Sequence, residues 1–199
     1  IGVTRFFRDG EAFDGFRGEF LPQLLAEHDP TEEFRAWVAG CATGEEAYSI
    51  AILIDECLRS LNLRLNVKVF ATDVHRASLD FAHAGIYPHT SVESMPAQYR
   101  ERYFTRTDSG YRVATDIREM IVFAPHNLIK DAPFTRLNLI TCRNLLIYFQ
   151  TQAQKRALSL FHFGLRTRGL LFLGASETPG ELSDEFDTLN ERWKVFRKR

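Results

Sequence analysis

Residues 34–60 read FRAWVAGCATGEEAYSIAILIDECLRS, and no other stretch narrows the fold as much. The run opens apolar without alternation, as a strand buried on both faces does. It passes through a turn bounded by Gly40 and Gly44 and continues at helical spacing, with Tyr48, Ala51, Ile52 and Asp55 stepping along it. A strand that feeds directly into a long helix belongs to a crossover unit, and such units build parallel sheets covered by helices. The same turn is where folds of this kind point backbone N–H groups at a ligand. It contains no Lys, however, and Glu45 and Glu46 follow its second glycine. One reading is local: Thr43-Gly44-Glu45-Glu46 forms a capping box, with Thr43 as N-cap, Glu46 at the third helical position and the acids complementing the helix dipole. The other is a ligand that brings no phosphate. The turn alone leaves both open.

The rest of the chain alternates in the same way. Residues 10–27 place Phe13, Phe16, Phe20 and Leu24 at helical spacing. NVKVFAT (66–72) is a second strand ending at Asp73, and 76–84 is a helix closed by Gly85. Residues 88–118 change character: helix-like AQYRERYF precedes TDSGYRVATDI, which reads as a hairpin turning at Ser109-Gly110. Short apolar strands are expected at 120–124, 137–141 and 169–174, a helix at 153–165, and a final strand in the tail RWKVFRKR. The expected architecture is a parallel or mixed sheet with helices on both faces, and 88–118 is the one candidate for a separate small subdomain.

Charge and cysteine usage exclude several function classes. Net charge is −1, so no general basic surface holds nucleic acid by its phosphates. No run of 18 apolar residues occurs, so no membrane span is expected, and no secretory signal is visible. The three cysteines, Cys41, Cys57 and Cys142, are odd in number and lack metal spacing, and Cys41 and Cys142 fall at strand ends. Reduced thiols in a cytosolic compartment are the expectation. Six histidines without paired spacing give no metal site. The chain opens on Ile1 and enters at once into TRFFRD, as an excised piece of something longer does.

Asp73 shifts the reading of the glycine turn. It ends the second strand 29 residues after Gly44, where dinucleotide-binding folds set an acid against ribose hydroxyls. A phosphate-free nucleoside carrying positive charge suits both the acid and the missing lysine. S-adenosylmethionine is such a ligand, with a ribose, a sulfonium and an ammonium.

Five stretches stand in order along the chain: Thr4-Arg5-Phe6-Phe7-Arg8, WVAGCATGEEAYSI (37–50), Phe70-Ala71-Thr72-Asp73, Asn127-Leu128 and CRNLLIYF (142–149). Together they resemble the CheR family, the methyltransferases that esterify receptor glutamates in bacterial chemotaxis, over nearly the whole chain. The wording IGVTRFFRD, GCATGEEAYSIA, LITCRNLLIYF and LLFLGASE is most similar to CheR domains inside large signalling fusions. The resemblance implies a class I methyltransferase fold, an α/β Rossmann-like sheet with a small β-subdomain inserted around 88–118. It implies S-adenosylmethionine as cofactor, S-adenosylhomocysteine as product, a cytoplasmic location, and a chemotaxis receptor or fused signalling domain as methyl acceptor. Thr4, Arg8, Gly40, Glu46, Asp73, Asn127, Leu128, Asn144 and Leu145 fall on the family's cofactor-binding positions. Read locally, Asn127 is a loop cap and Asn144 a turn cap. Arg8 and Tyr148 match the residues nearest the chemistry, with Tyr148 expected half-buried.

Three departures accompany the resemblance. Gly2 stands where the family often has Asn. The glycine-bounded loop of the hairpin is short, which argues against docking of a receptor's C-terminal pentapeptide. The family's helical N-terminal domain is expected to be missing, since Thr4 opens the motif almost at the chain start. Two other functions stand beside transfer to protein glutamate: a sensor or scaffold that binds S-adenosylmethionine without efficient transfer, and a methyltransferase for RNA or a small molecule. The absent basic patch weighs against RNA.

Overall fold

The computed structural model describes residues 4–199, so the departure at Gly2 lies outside the described residues. Seven strands form the central sheet: β1 (Phe34–Ala39), β2 (Val67–Asp73), β6 (Ile121–Pro125), β7 (Leu137–Cys142), β8 (Leu165–Leu173), β9 (Phe186–Asn190) and β10 (Val195–Lys198). Their order is β6-β2-β1-β7-β8-β10-β9. The first five run parallel, and β10 and β9 close one edge antiparallel. From β1 the chain moves outward through β2 to β6, then crosses back to β7 and moves outward the other way. The order therefore reverses between β1 and β7, and a crevice opens there at the strands' carboxyl ends, where ligands of open α/β sheets bind.

Burial on both faces explains the unbroken apolar strands. Val38 packs into one core with Phe13, Phe16, Tyr48 and Ile52, while its neighbour Trp37 points into the other with Ile140, Phe161 and Leu171. Trp37 Nε1 donates to Thr72 Oγ1 at 2.9 Å, so the indole is buried without an orphaned donor. The covering helices are α3 (Glu45–Leu61), α4 (Arg76–Ala84) and α8 (Thr151–Gly164), together with the helical stretch 10–27. That stretch divides into α1 (Gly10–Gly15), a π turn (Phe16–Phe20) and α2 (Leu21–Glu27). Pro22 has no N–H to offer an i−4 carbonyl, and the wider π turn immediately before it absorbs the break. Phe16 still stacks on Phe172, with centroids 4.6 Å apart.

The subdomain begins slightly earlier than the sequence suggests. β3 (Ile86–Tyr87), β5 (Gly110–Val113) and β4 (Phe104–Thr107) form a separate antiparallel sheet in the order β3-β5-β4. Three short helices accompany it, α5 (His89–Glu93), α6 (Ala97–Tyr103) and α7 (Thr115–Met120). The hairpin turns at Asp108-Ser109, one residue earlier than expected, because Gly110 already pairs with Thr107. Tyr87 fastens this unit to the main sheet: its hydroxyl donates to the Thr43 carbonyl at 2.6 Å, and its ring meets Phe6 edge-on at 4.8 Å. β9 was not legible as a strand, and its pairing to β10 supplies what its own residues FDTLN lack.

Candidate active site

A pocket of about 480 Å³ opens at the carboxyl ends of β1, β2 and β7. That volume is in the range of small-molecule sites. Thr4, Arg8, Gly40, Glu46, Asp73, Asn144, Leu145 and Tyr148 all line it, brought together from four separate stretches of chain. Arg5, Cys41, Ala42, His75, Ser78 and Arg143 complete the lining, and none of these was named from the sequence as a cofactor-binding or catalytic residue. Asn127 and Leu128 are not among the lining residues. They follow β6, whose end is tied to Asp73 by the His126 N–H donating to the Asp73 carbonyl at 3.1 Å. Asn127 Oδ1 accepts from the Ile129 N–H at 2.9 Å, which is the local loop-cap role, and Leu128 is buried.

The capping box does not form. Gly44, at φ 98°, is the N-cap of α3, and no side chain caps the helix. A Cβ at Gly44 would lie 2.8 Å from both Ala82 Cβ and the Tyr87 hydroxyl, so this left-handed turn admits only glycine. The glycine displaces Thr43 from the capping position. Thr43 Oγ1 instead donates to the Glu45 carboxylate, 2.6 Å from Oε1. Glu45 is 5% exposed, and burial pushes its carboxyl up, with the Thr43 and Thr4 hydroxyls opposing the shift. Glu46 turns away from the helix end to meet Arg143 Nη1 at 3.2 Å, a charged partner that outbids a backbone N–H. Of the first turn of α3, Glu46 lines the pocket, while Gly44 and Glu45 are buried.

Asp73 links two turns and retains capacity for a third partner. Its Oδ2 accepts from the Ala42 N–H at 2.9 Å and its Oδ1 from the His75 N–H at 3.0 Å. Each carboxylate oxygen accepts two bonds, so each keeps one for a ligand hydroxyl.

Arg143 is the residue that sequence reasoning missed most clearly. Its side chain is 1% exposed and pairs with Glu46 and with Asp9 Oδ2 at 3.1 Å. Nη1 also donates to the Arg8 carbonyl at 3.1 Å, and the guanidinium lies over the rings of Phe13 and Phe172. Burial raises the Glu46 carboxyl above its ordinary range, while Arg143 and, more weakly, Arg8 pull it back. Glu177, also missed, is 4% exposed and accepts the Asn144 N–H at 2.8 Å beneath the pocket wall.

Tyr148 departs from its expected half-burial: it is 63% exposed on the pocket rim. In the 3₁₀ turn Leu146–Tyr148, Leu146 takes the buried position and the tyrosine is turned outward. Burial pushes the Cys41 and Cys142 thiols far up, which disfavours the thiolate that a nucleophile needs. Among the described residues no group of three or more His, Cys, Asp or Glu is placed to hold a metal. No helix among them is long and apolar enough to cross a membrane.

The family profile described as CheR methyltransferase, SAM binding domain, matches residues 2–195. An uncharacterized 104.1 kDa protein of Rhodobacter capsulatus is 42% identical over 197 residues, covering 99% of this chain and 21% of that protein. Chemotaxis protein methyltransferase 2 of Vibrio cholerae is 33% identical over 202 residues, covering 100% of this chain and 68% of its own length. The chain thus spans about a fifth of the first relative and about two thirds of the second. Among solved structures, a TehB-like SAM-dependent methyltransferase from Corynebacterium glutamicum superposes with a TM-score of 0.51 at 14% identity, over 96% of each chain. That likeness establishes the class I methyltransferase fold.

Proposed function

The chain belongs to the CheR methyltransferase family, and on that premise we propose that it methylates glutamate side chains of a chemotaxis receptor or of a signalling module joined to it. The family's cofactor is S-adenosylmethionine, which supplies an electrophilic methyl on a sulfonium. The products of the proposed reaction are the glutamate γ-methyl ester and S-adenosylhomocysteine.

One observation carries the assignment of the cofactor to this pocket: Asp73, at the end of β2, faces a glycine turn without lysine and keeps an acceptor site on each oxygen. In this reading Asp73 accepts from ribose hydroxyls, and Glu46, held by Arg143, complements the cationic methionyl end. Gly40 gives close backbone approach, and Thr4, Asn144 and Leu145 form the walls. Asn127 and Leu128 flank the adenine end beyond the pocket lining.

A glutamate carboxylate is ionised at neutral pH and is already a nucleophile, so the site needs no general base. What the chain's own residues provide is alignment and partial exclusion of water, which together reach about 7–11 kcal/mol at best. Arg8 is suited to hold a carboxylate through its planar fork. Tyr148 is exposed on the rim, and in this reading its hydroxyl points toward the methyl or the attacking oxygen. The three buried, free thiols suit a reducing, cytoplasmic setting.

The test is transfer of a tritiated methyl group from S-adenosylmethionine to receptor cytoplasmic domains. Label released as methanol by mild base, and lost when the acceptor's glutamates become alanine, is the expected result. Base-stable label, or none on any acceptor while the cofactor binds, would remove glutamate esterification.

A further inference from the structure

The motif LLFLGASE ends in an acid that the proposed chemistry does not use. Glu177 lies after β8, below the turn that carries Asn144, Leu145 and Tyr148. Its carboxylate accepts four backbone N–H groups. Oε1 takes those of Asn144 and Gly174, each at 2.8 Å, and Oε2 takes those of Leu145 at 3.1 Å and Ile147 at 3.3 Å. The turn it holds is not one the chain adopts freely, since Asn144 has φ 61° in the left-handed region. A Cβ at Gly174 would sit 2.6 Å from Glu177 Oε1 and 2.7 Å from the Asn144 nitrogen, so glycine there is what lets the carboxylate reach.

We infer that Glu177 is a positioning residue for methyl transfer: through three backbone hydrogen bonds to the 144–147 turn and a fourth to Gly174 it locks that turn so that Asn144, Leu145 and Tyr148 face the pocket. The inference rests on the methyltransferase reading for what the locked turn is for, but not for the lock itself. The carboxylate is the one side chain that fits this task. All four partners are donors, so both oxygens must be acceptors. A glutamine in either orientation satisfies two N–H groups and sets its own NH₂ against the other two. Two buried donors are then stranded, and the turn is released from its left-handed conformation.

The test pairs amide hydrogen exchange with calorimetry, using S-adenosylhomocysteine as the probe, on wild type, Glu177→Gln and the core variant Leu165→Ala. Leu165 is buried at the opposite end of the sheet, so its truncation lowers stability without touching the turn. In Glu177→Gln one pair of amides, Asn144 with Gly174 or Leu145 with Ile147, is expected to exchange at least tenfold faster, and probe affinity to fall at least tenfold. Leu165→Ala is expected to leave both near wild type despite a comparable loss of stability. Unchanged exchange at all four amides, Asn144, Leu145, Ile147 and Gly174, would overturn the inference, as would equal affinity losses in the two variants. If wild type itself fails to bind the probe, the methyltransferase reading fails, and the exchange rates alone decide whether Glu177 holds the turn. Should Glu177→Gln not fold, Glu177→Asp keeps the charge one methylene short and carries the same test. At least threefold weaker binding with faster exchange supports the lock, and wild-type values for both refute it.

Discussion

Asp73, Tyr148 and Arg143 differ in how visible they are from sequence, and the difference is physical. Asp73 closes an apolar strand, so its place at a carboxyl end is written in the residues just before it. Tyr148 sits in an apolar string, NLLIYF, where the pattern cannot tell which residue a 3₁₀ turn will expose; the structure exposes Tyr148 and buries Leu146. Arg143 gives no local signal, because its partner Glu46 is 97 positions away and Asp9 is 134 positions away. Tyr148→Phe removes a hydroxyl from an exposed rim position, so fold and cofactor affinity should hold while methyl-ester formation falls. Wild-type turnover of that variant on a verified acceptor would take Tyr148 out of the mechanism. Arg143→Ala leaves Glu46 buried without its cation and should cost about 3–5 kcal/mol in urea unfolding at neutral pH. Glu46 has its folded-state carboxyl raised by burial, so its contribution to stability is greatest below the ordinary glutamate value near 4.5 and is lost as pH rises through the raised one. Without Arg143 that loss is larger. The gap between wild type and Arg143→Ala should therefore narrow as pH is lowered toward 4, and a gap that stays constant would show that Arg143 does not pull the Glu46 carboxyl down.

Among the elements, strands with dense apolar runs were readable, and those that depend on a partner were not. β1, β2 and β7 follow from their residues alone, whereas β9 and the two-residue β3 exist through pairing to β10 and β5. The capping box, one of two readings of the turn, does not form because Gly44 takes the N-cap and a distant guanidinium takes Glu46. The hairpin carries a prediction of its own. Its loop is two residues, Asp108-Ser109, between the edge strand β4 and β5. A docked extended peptide needs both a free edge and something to grip its end, and this turn supplies no arm. No measurable affinity is expected for an aromatic, acidic C-terminal pentapeptide of a receptor; the acceptor is reached by direct docking or by covalent linkage, where effective concentration replaces tethering. Saturable micromolar binding of a labelled pentapeptide in fluorescence anisotropy would show that loop length is the wrong criterion.

At the scale of the molecule, the parts converge on one crevice. The strand order reverses between β1 and β7, the glycine turn and the Glu177-held turn face each other across that reversal, and Tyr87 ties the small sheet to the same point. The alternation of strands and helices made this architecture legible in advance. Glu177 and Arg143, which shape the pocket, were not, because each is defined by contacts distant in sequence. The central claim is that this crevice holds S-adenosylmethionine with Asp73 on its ribose, and calorimetry on wild type and Asp73→Ala tests it most directly. Saturable one-to-one binding of S-adenosylhomocysteine to wild type, weakened in a folded Asp73→Ala variant by about 1–3 kcal/mol, is the predicted result. No binding to wild type, or equal affinity in the two proteins, would contradict it.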